Sequence, residues 1–309
     1  MKKTLILLII GLIFVSCKST PPEDPKTLPE ITVEMPELFS PDPDIENDEM
    51  SVPITIKHPV PIKEWSILVQ PQRGGGQRPE GEARQRPEGE GRQRPEGEEG
   101  EQRQRRQRPP FYQENGTGNP PKVWKWNGRG TSGEMVQSAM DYRFNLTVSD
   151  SFGNKADYEG IISVDVLVKR EGDIYKIVVP SIVFPPDSAD FSLLSQEDMR
   201  GNRRILFLIA RALNRFEGYA ITVEGHANPT TAPDTPERNT EETGSRTVIG
   251  LKPLSEDRAK AVMNFLIENH EISKDRLTAI GMGGSRTVAE YDDEEENWKN
   301  RRVEFILQK

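Results

Sequence analysis

The spacing of the apolar residues changes once along this chain, and that change limits what it can fold into. Between residues 54 and 168 apolar side chains recur at every second position: Ile54 and Ile56; Trp65, Ile67 and Val69; Tyr142, Phe144, Leu146 and Val148; Ile162, Val164, Val166 and Val168. Successive side chains of a strand point to opposite faces, so this spacing predicts half-buried antiparallel strands packed as a small β-sandwich. Asn127-Gly128, Ser132-Gly133 and Gly153-Asn154 supply turns between them. From about Lys176 onward strands alternate with helical spacing. Ile205, Leu208, Ile209, Ala212, Leu213 and Phe216 lie on one helix face. A second helix, capped by Ser255, carries Ala259, Val262, Met263 and Leu266, with Phe265 alongside. With strands in YKIVVPSIVF, YAITVEG, RLTAIGMGG and RRVEFILQ, the order is β-α-β-α-β-β, two helices against one mixed sheet. The fold class is α+β.

Other segments cannot join a core. Residues 73–110 repeat RQRPEGE-type units with almost no apolar side chain and nearly cancelling arginines and glutamates, which predicts a disordered insertion in a surface loop. Residues 17–50 are rich in proline and acids and read as an extended tether. Residues 1–16 combine two lysines with an apolar run and a small residue before Cys17, a signal-peptide layout. The expected organisation is therefore a signal peptide (1–16), a tether (17–50), a β-sandwich (51–172) with its insertion, and a second domain (173–309).

Composition narrows the function classes. A formal net charge of -9 argues against nucleic acid as a partner, because a phosphate backbone favours a basic surface. The single cysteine excludes an internal disulfide scaffold. His58, His226 and His270 fall in separate segments, and neither a nucleophile elbow nor a phosphate-binding glycine loop is present. The expectation is a protein that is not an enzyme and that uses no cofactor and no metal.

Three resemblances sharpen this. Phe14-Val15-Ser16-Cys17 resembles the lipobox of bacterial lipoproteins, which implies a lipid on Cys17 and a membrane anchor. Lys18 after the cysteine implies the outer membrane, facing the periplasm. The order Trp126-Asn-Gly-Arg, Gly133-Glu, Asp141-Tyr142 and Asp150 to Asn154 resembles the immunoglobulin-like domain of the flagellar hook-cap protein FlgD, a fold that offers a spacer or a docking surface for an envelope protein. VEGHAN, LSEDRAKAVMNFL, RLTAIGMGGSR and NRRVEFIL resemble, in that order, the OmpA-like domain that binds peptidoglycan and also occurs in the lipoprotein Pal.

The last resemblance implies a site. In that family an aspartate in the Gly-His-Thr-Asp turn takes the ammonium of the stem peptide's diamino acid, and an arginine in the Leu-Ser-x-x-Arg-Ala helix start takes its carboxylate through two hydrogen bonds. Arg258 occupies the arginine position, three residues after Ser255, where a helix dipole favours an acid unless an anion visits; a salt bridge to Glu256 or Asp257 is the plainer alternative. His226 has a supporting role, and Arg301 or Arg302 borders the pocket or forms a solvated strand end. The aspartate position holds Asn228, and the loop from 229 to 253 is longer than the family's turn. Asp234, Glu237, Glu241 or Glu242 folding back would replace the lost carboxylate. Otherwise the stem peptide differs, or the domain serves as a structural adapter in an envelope or flagellar assembly without wall affinity.

Overall fold

The computed structural model describes residues 27–45, 48–72, 109–229, 251–293 and 296–309. The signal segment, Cys17, the RQRPEGE repeat and the four substitute acids of the 229–253 loop lie outside the described residues. Among the described residues no helix is long and apolar enough to cross a membrane.

The N-terminal unit contains β1 (Glu30–Val33), β2 (Met50–Lys57), β3 (Ile62–Gln72), β4 (Tyr112–Thr117), β5 (Val123–Trp126), β6 (Asp141–Asp150) and β7 (Lys155–Ser163). They form two antiparallel sheets, ordered β1-β2-β5 and β4-β3-β6-β7. The alternating residues point inward as their period requires: Val52, Ile67, Val69, Phe144, Leu146, Val148 and Ile162 are fully buried in one core with Trp124 and Trp126. One buried polar group closes the β6–β7 turn. Burial alone would raise the pKa of the Asp150 carboxylate, but hydrogen bonds from Asn154, His58 and the backbone of Asn154 and Phe152 hold it well below the usual carboxylate range.

Two expectations need correction here. The tether does not extend through residue 50: β1 pairs with β2, placing Val33 opposite Ile54, and Phe39 is buried 5.7 Å from the Trp126 ring. A strand of four residues flanked by prolines carries too short a pattern to register, yet its β-branched side chains complete the sheet. The division at 172/173 falls inside a hairpin. Lys169–Glu171 (β8) pairs with Ile174–Val179 (β9) around Gly172, which takes a φ of 62°.

The C-terminal unit continues with α1 (Gln196–Asn214), β10 (Ala220–His226), α2 (Leu251–His270), β11 (Leu277–Gly283) and β12 (Val303–Gln308). Its sheet runs β11-β10-β12-β9-β8, with β10 and β11 parallel and the other pairs antiparallel. Leu206, Ile209 and Leu213 of α1 and Ala259, Val262 and Leu266 of α2 pack on Ile177, Val223 and Phe305 of the sheet. Asn202 is buried in α1, and its amide exchanges two hydrogen bonds with Val183, which fixes the loop after β9.

Ser255 is not a cap. The helix is already formed at Leu251, four residues before Ser255. Ser255 Oγ donates to Lys252 O (2.8 Å) and accepts from Gly283 N (2.8 Å), tying α2 to the end of β11. The two units also meet: Ala139 and Val166 join the C-terminal core, and Asp141 and Asp165 pair with Arg204 and Arg211 of α1.

Candidate functional site

The alternation of β12 sorts the expected site residues onto two sides of the sheet. Val303, Phe305 and Leu307 face the helices, so Arg301 belongs with the helix side while Arg302 and Glu304 face the other way.

On the helix side, α2 carries Arg258, which is only 8% exposed. Its Nε donates to Ser188 O (3.1 Å) and its Nη2 to Pro185 O (3.2 Å), and the guanidinium lies 5.1 Å from the Phe184 ring centroid. Burial, and then repulsion from Arg301, pull its pKa down to about 10, against the attraction of Asp187. It remains charged at neutral pH. Partial desolvation lowers the Arg301 pKa as well, although its side chain remains exposed. Neither arginine forms an ion pair with a described residue, so the plainer alternative, a salt bridge from Arg258 to Glu256 or Asp257, is absent there; Glu256 pairs with Lys260. The Arg258 guanidinium is drawn out of water with no carboxylate in ion-pair contact, and the exposed Arg301 beside it adds to a local positive potential, a condition that favours binding an anion. With the helix already formed at Leu251, Arg258 lies at least about two turns in, and the dipole argument no longer applies.

Asn228 is fully occupied. Its Oδ1 accepts from Asn300 Nδ2 (2.8 Å), and its Nδ2 donates to Tyr291 O (2.9 Å) and Pro229 O (3.2 Å). Asn300 Oδ1 in turn accepts from Val288 N and Ala289 N, and its Nδ2 also reaches Ala289 O. The pair forms a clasp that holds residues 288–291 against the end of β10. An aspartate would keep the bond from Asn300 but set a carboxylate against two carbonyl oxygens. We therefore expect Asn228→Asp to destabilise the protein by about 1–3 kcal/mol. Thermal denaturation checks this; an unchanged Tm would show that the clasp contributes nothing.

The opposite side of the sheet holds a buried polar network. Glu304 accepts from Arg302 Nε (2.6 Å) and pairs with Lys176 (2.7 Å), while Glu224 meets Arg286 at 3.5 Å. Burial alone would raise the pKa of Glu304, yet Lys176 and Arg302 hold it low. His226 Nε2 lies 3.6 Å from Glu224 and 3.8 Å from Glu304, and neither ring nitrogen has a hydrogen-bond partner. The ligand atoms of Glu224, His226 and Glu304 lie close enough together for a metal ion. The donor set does not suit one, because both Glu304 oxygens are already taken by cations and three positive side chains crowd the cluster. Sequence reasoning missed Glu304 and Lys176; the signal was a glutamate between buried Val303 and Phe305, which demands a partner.

Burial, then Arg302, push the His226 pKa down to about 4. In the unfolded chain the imidazole protonates near its ordinary value of about 6.5. Stability present above pH ~6.5 is therefore lost as pH falls toward the folded value, by about 3 kcal/mol at most. Tm measured against pH for wild type and His226→Leu checks this. The variant should lose less stability between these limits, and parallel curves would contradict the assignment.

A model described as the OmpA family matches residues 183–301. No curated protein sequence matches the chain. Among solved structures, the chain is similar to a MotB like protein from Desulfovibrio vulgaris, at 21% identity over 47% of this chain and 78% of that one, with a TM-score of 0.35. It is also similar to the cell wall anchor of the T6SS from Pseudomonas aeruginosa, at 25% identity over 47% and 87%, with a TM-score of 0.34. A third is the peptidoglycan-associated lipoprotein from Burkholderia pseudomallei, at 22% identity over 42% and 89%, with a TM-score of 0.30. Residues 183–301, which contain Arg258, Arg301 and both asparagines of the clasp, form an OmpA family domain.

Proposed function

We propose that this is a non-catalytic envelope protein that ties a membrane to the cell wall, anchored in the outer membrane by a lipid on Cys17 and facing the periplasm. Its C-terminal domain binds the peptidoglycan stem peptide without a covalent bond. The N-terminal β unit, read as immunoglobulin-like, is the spacer between membrane and wall and a docking surface for an envelope protein. The observation that carries this reading is the buried Arg258 beside Arg301, two cations without an acidic partner among the described residues, in a domain of a family that binds peptidoglycan. A stem-peptide carboxylate supplies the missing charge through paired hydrogen bonds. Arg302 and His226 then act as structural residues of the opposite sheet face, and Asn228 shapes the rim of the pocket rather than taking an ammonium.

One observation favours a second reading. Asn228 replaces the expected acid and spends its amide on Asn300 and Tyr291, which suits an adapter that has given up wall affinity for a protein partner. Capture of the full mature protein from envelopes, before and after muramidase digestion, separates the two. The wall-anchor reading expects peptidoglycan fragments to be retained and the other envelope proteins to be lost after digestion. A stoichiometric protein that survives digestion, with no peptidoglycan recovered, would support the adapter.

A further inference from the structure

We propose that the cavity beside the start of α1 is a second subsite for the wall ligand, taking a carboxylate carried two or three residues along the peptide from the one held at Arg258. This rests on the wall-binding reading. The cavity measures about 420 Å³, within the range of small-ligand sites, and is lined by Phe191, Leu194, Met199, Arg200 and Arg203 among others.

Three features carry the assignment. The first is continuity with the Arg258 site: the Arg258 guanidinium lies 5.1 Å from the Phe184 ring, and Phe184 stacks on Phe191 at 5.2 Å. Phe191 lines the cavity, so one cation-to-ring step and one ring-to-ring step connect the sites, at most about the span of two or three extended residues. The second is charge. Arg200 and Arg203 are exposed at the cavity, and neither makes an ion pair or hydrogen bond with a described residue. The acids of the same turns are engaged elsewhere: Asp190 accepts from Ser192 N, and Asp198 takes the Ser195 hydroxyl. Neither acid lines the cavity, and nor does Glu197. The third is the mixed lining: Phe191, Leu194 and Met199 offer apolar surface and Ser192, Ser195 and Gln196 offer hydrogen-bonding groups beside the two guanidiniums, which suits a peptide stem that carries a carboxylate. The ligand is thus a peptide with two acidic groups, gripped at both, and the second contact adds affinity without new chemistry at the first.

The test is an NMR titration of the full mature chain with two probes: muropeptides released from purified peptidoglycan by muramidase, and the free diamino acid of that peptidoglycan. The doubly substituted Arg200→Ser/Arg203→Ser protein should bind the muropeptides about tenfold more weakly and the free diamino acid as wild type does, because the short probe cannot reach the cavity. Both positions are exposed, so an unchanged Tm is expected and confirms the fold. Wild-type affinity for the muropeptides in the double variant would overturn the subsite and leave the wall-binding reading standing. So would an equal loss on both probes. A wild-type protein that binds neither probe would overturn the wall-binding reading and the subsite with it.

Discussion

Replacing Arg258 by alanine should abolish retention of the protein on purified peptidoglycan while leaving the fold intact. Truncating one partner of a buried, hydrogen-bonded charge pair costs about 2–5 kcal/mol, so affinity should fall by roughly 30-fold or more. The fold should survive because the loop that Arg258 touches through Pro185 and Ser188 is held independently by Asn202 at Val183. Removing a buried cation that lacks an acidic partner also relieves a desolvation penalty. Arg258→Lys keeps the charge but loses the planar fork, and should recover only part of the affinity. Binding isotherms with Tm measured on the same samples separate the effects; a variant that unfolds, or one that still binds as wild type, would remove Arg258 from the site.

A methyl group at Gly225 should have the largest effect on stability. Gly225 is the position of β10 where α2 rests directly on the strand, and a Cβ there would fall deep inside the contact radius of the Ser255 carbonyl oxygen. The obstacle is helix backbone rather than a side chain that can swing away. Gly281 on the neighbouring β11 faces the Lys252 carbonyl in the same manner, so two glycines let α2 lie flat across the parallel pair. Separating the helix from the sheet would also loosen Ala259 and Val262 in the core and move Arg258 off its carbonyl partners. We expect Gly225→Ala to cost about 3 kcal/mol or more and to lower Tm by roughly 10 °C. A Tm within a degree or two of wild type would mean that α2 can shift at little cost.

Much of the C-terminal architecture was legible because its signals are long. The apolar face of α1 runs through several turns, and the strands around it follow in the observed β-α-β-α-β-β order. Short or displaced signals failed. β1 has four residues, and its pairing with β2 depends on partners more than twenty positions away. Ser255 reads as the cap, whereas the helix is already formed at Leu251 and uses the hydroxyl to hold Gly283. At the site, the loss of a carboxylate at Asn228 was visible, but its use was not, since Asn300 lies 72 residues further along the chain. Arg301 and Arg302 looked equivalent as adjacent cations. Strand alternation, a rule available from the sequence, was enough to separate them, and the buried acid at Glu304 was the clue to where Arg302 goes.

Completion of the Arg258 and Arg301 charge by a carboxylate of the cell wall is tested most directly by co-sedimenting the full chain with purified peptidoglycan over a range of protein concentrations. The account predicts saturable binding that soluble muropeptides compete away and that Arg258→Ala lacks. Protein that stays in solution at every concentration, or binding that is indifferent to Arg258, would contradict it.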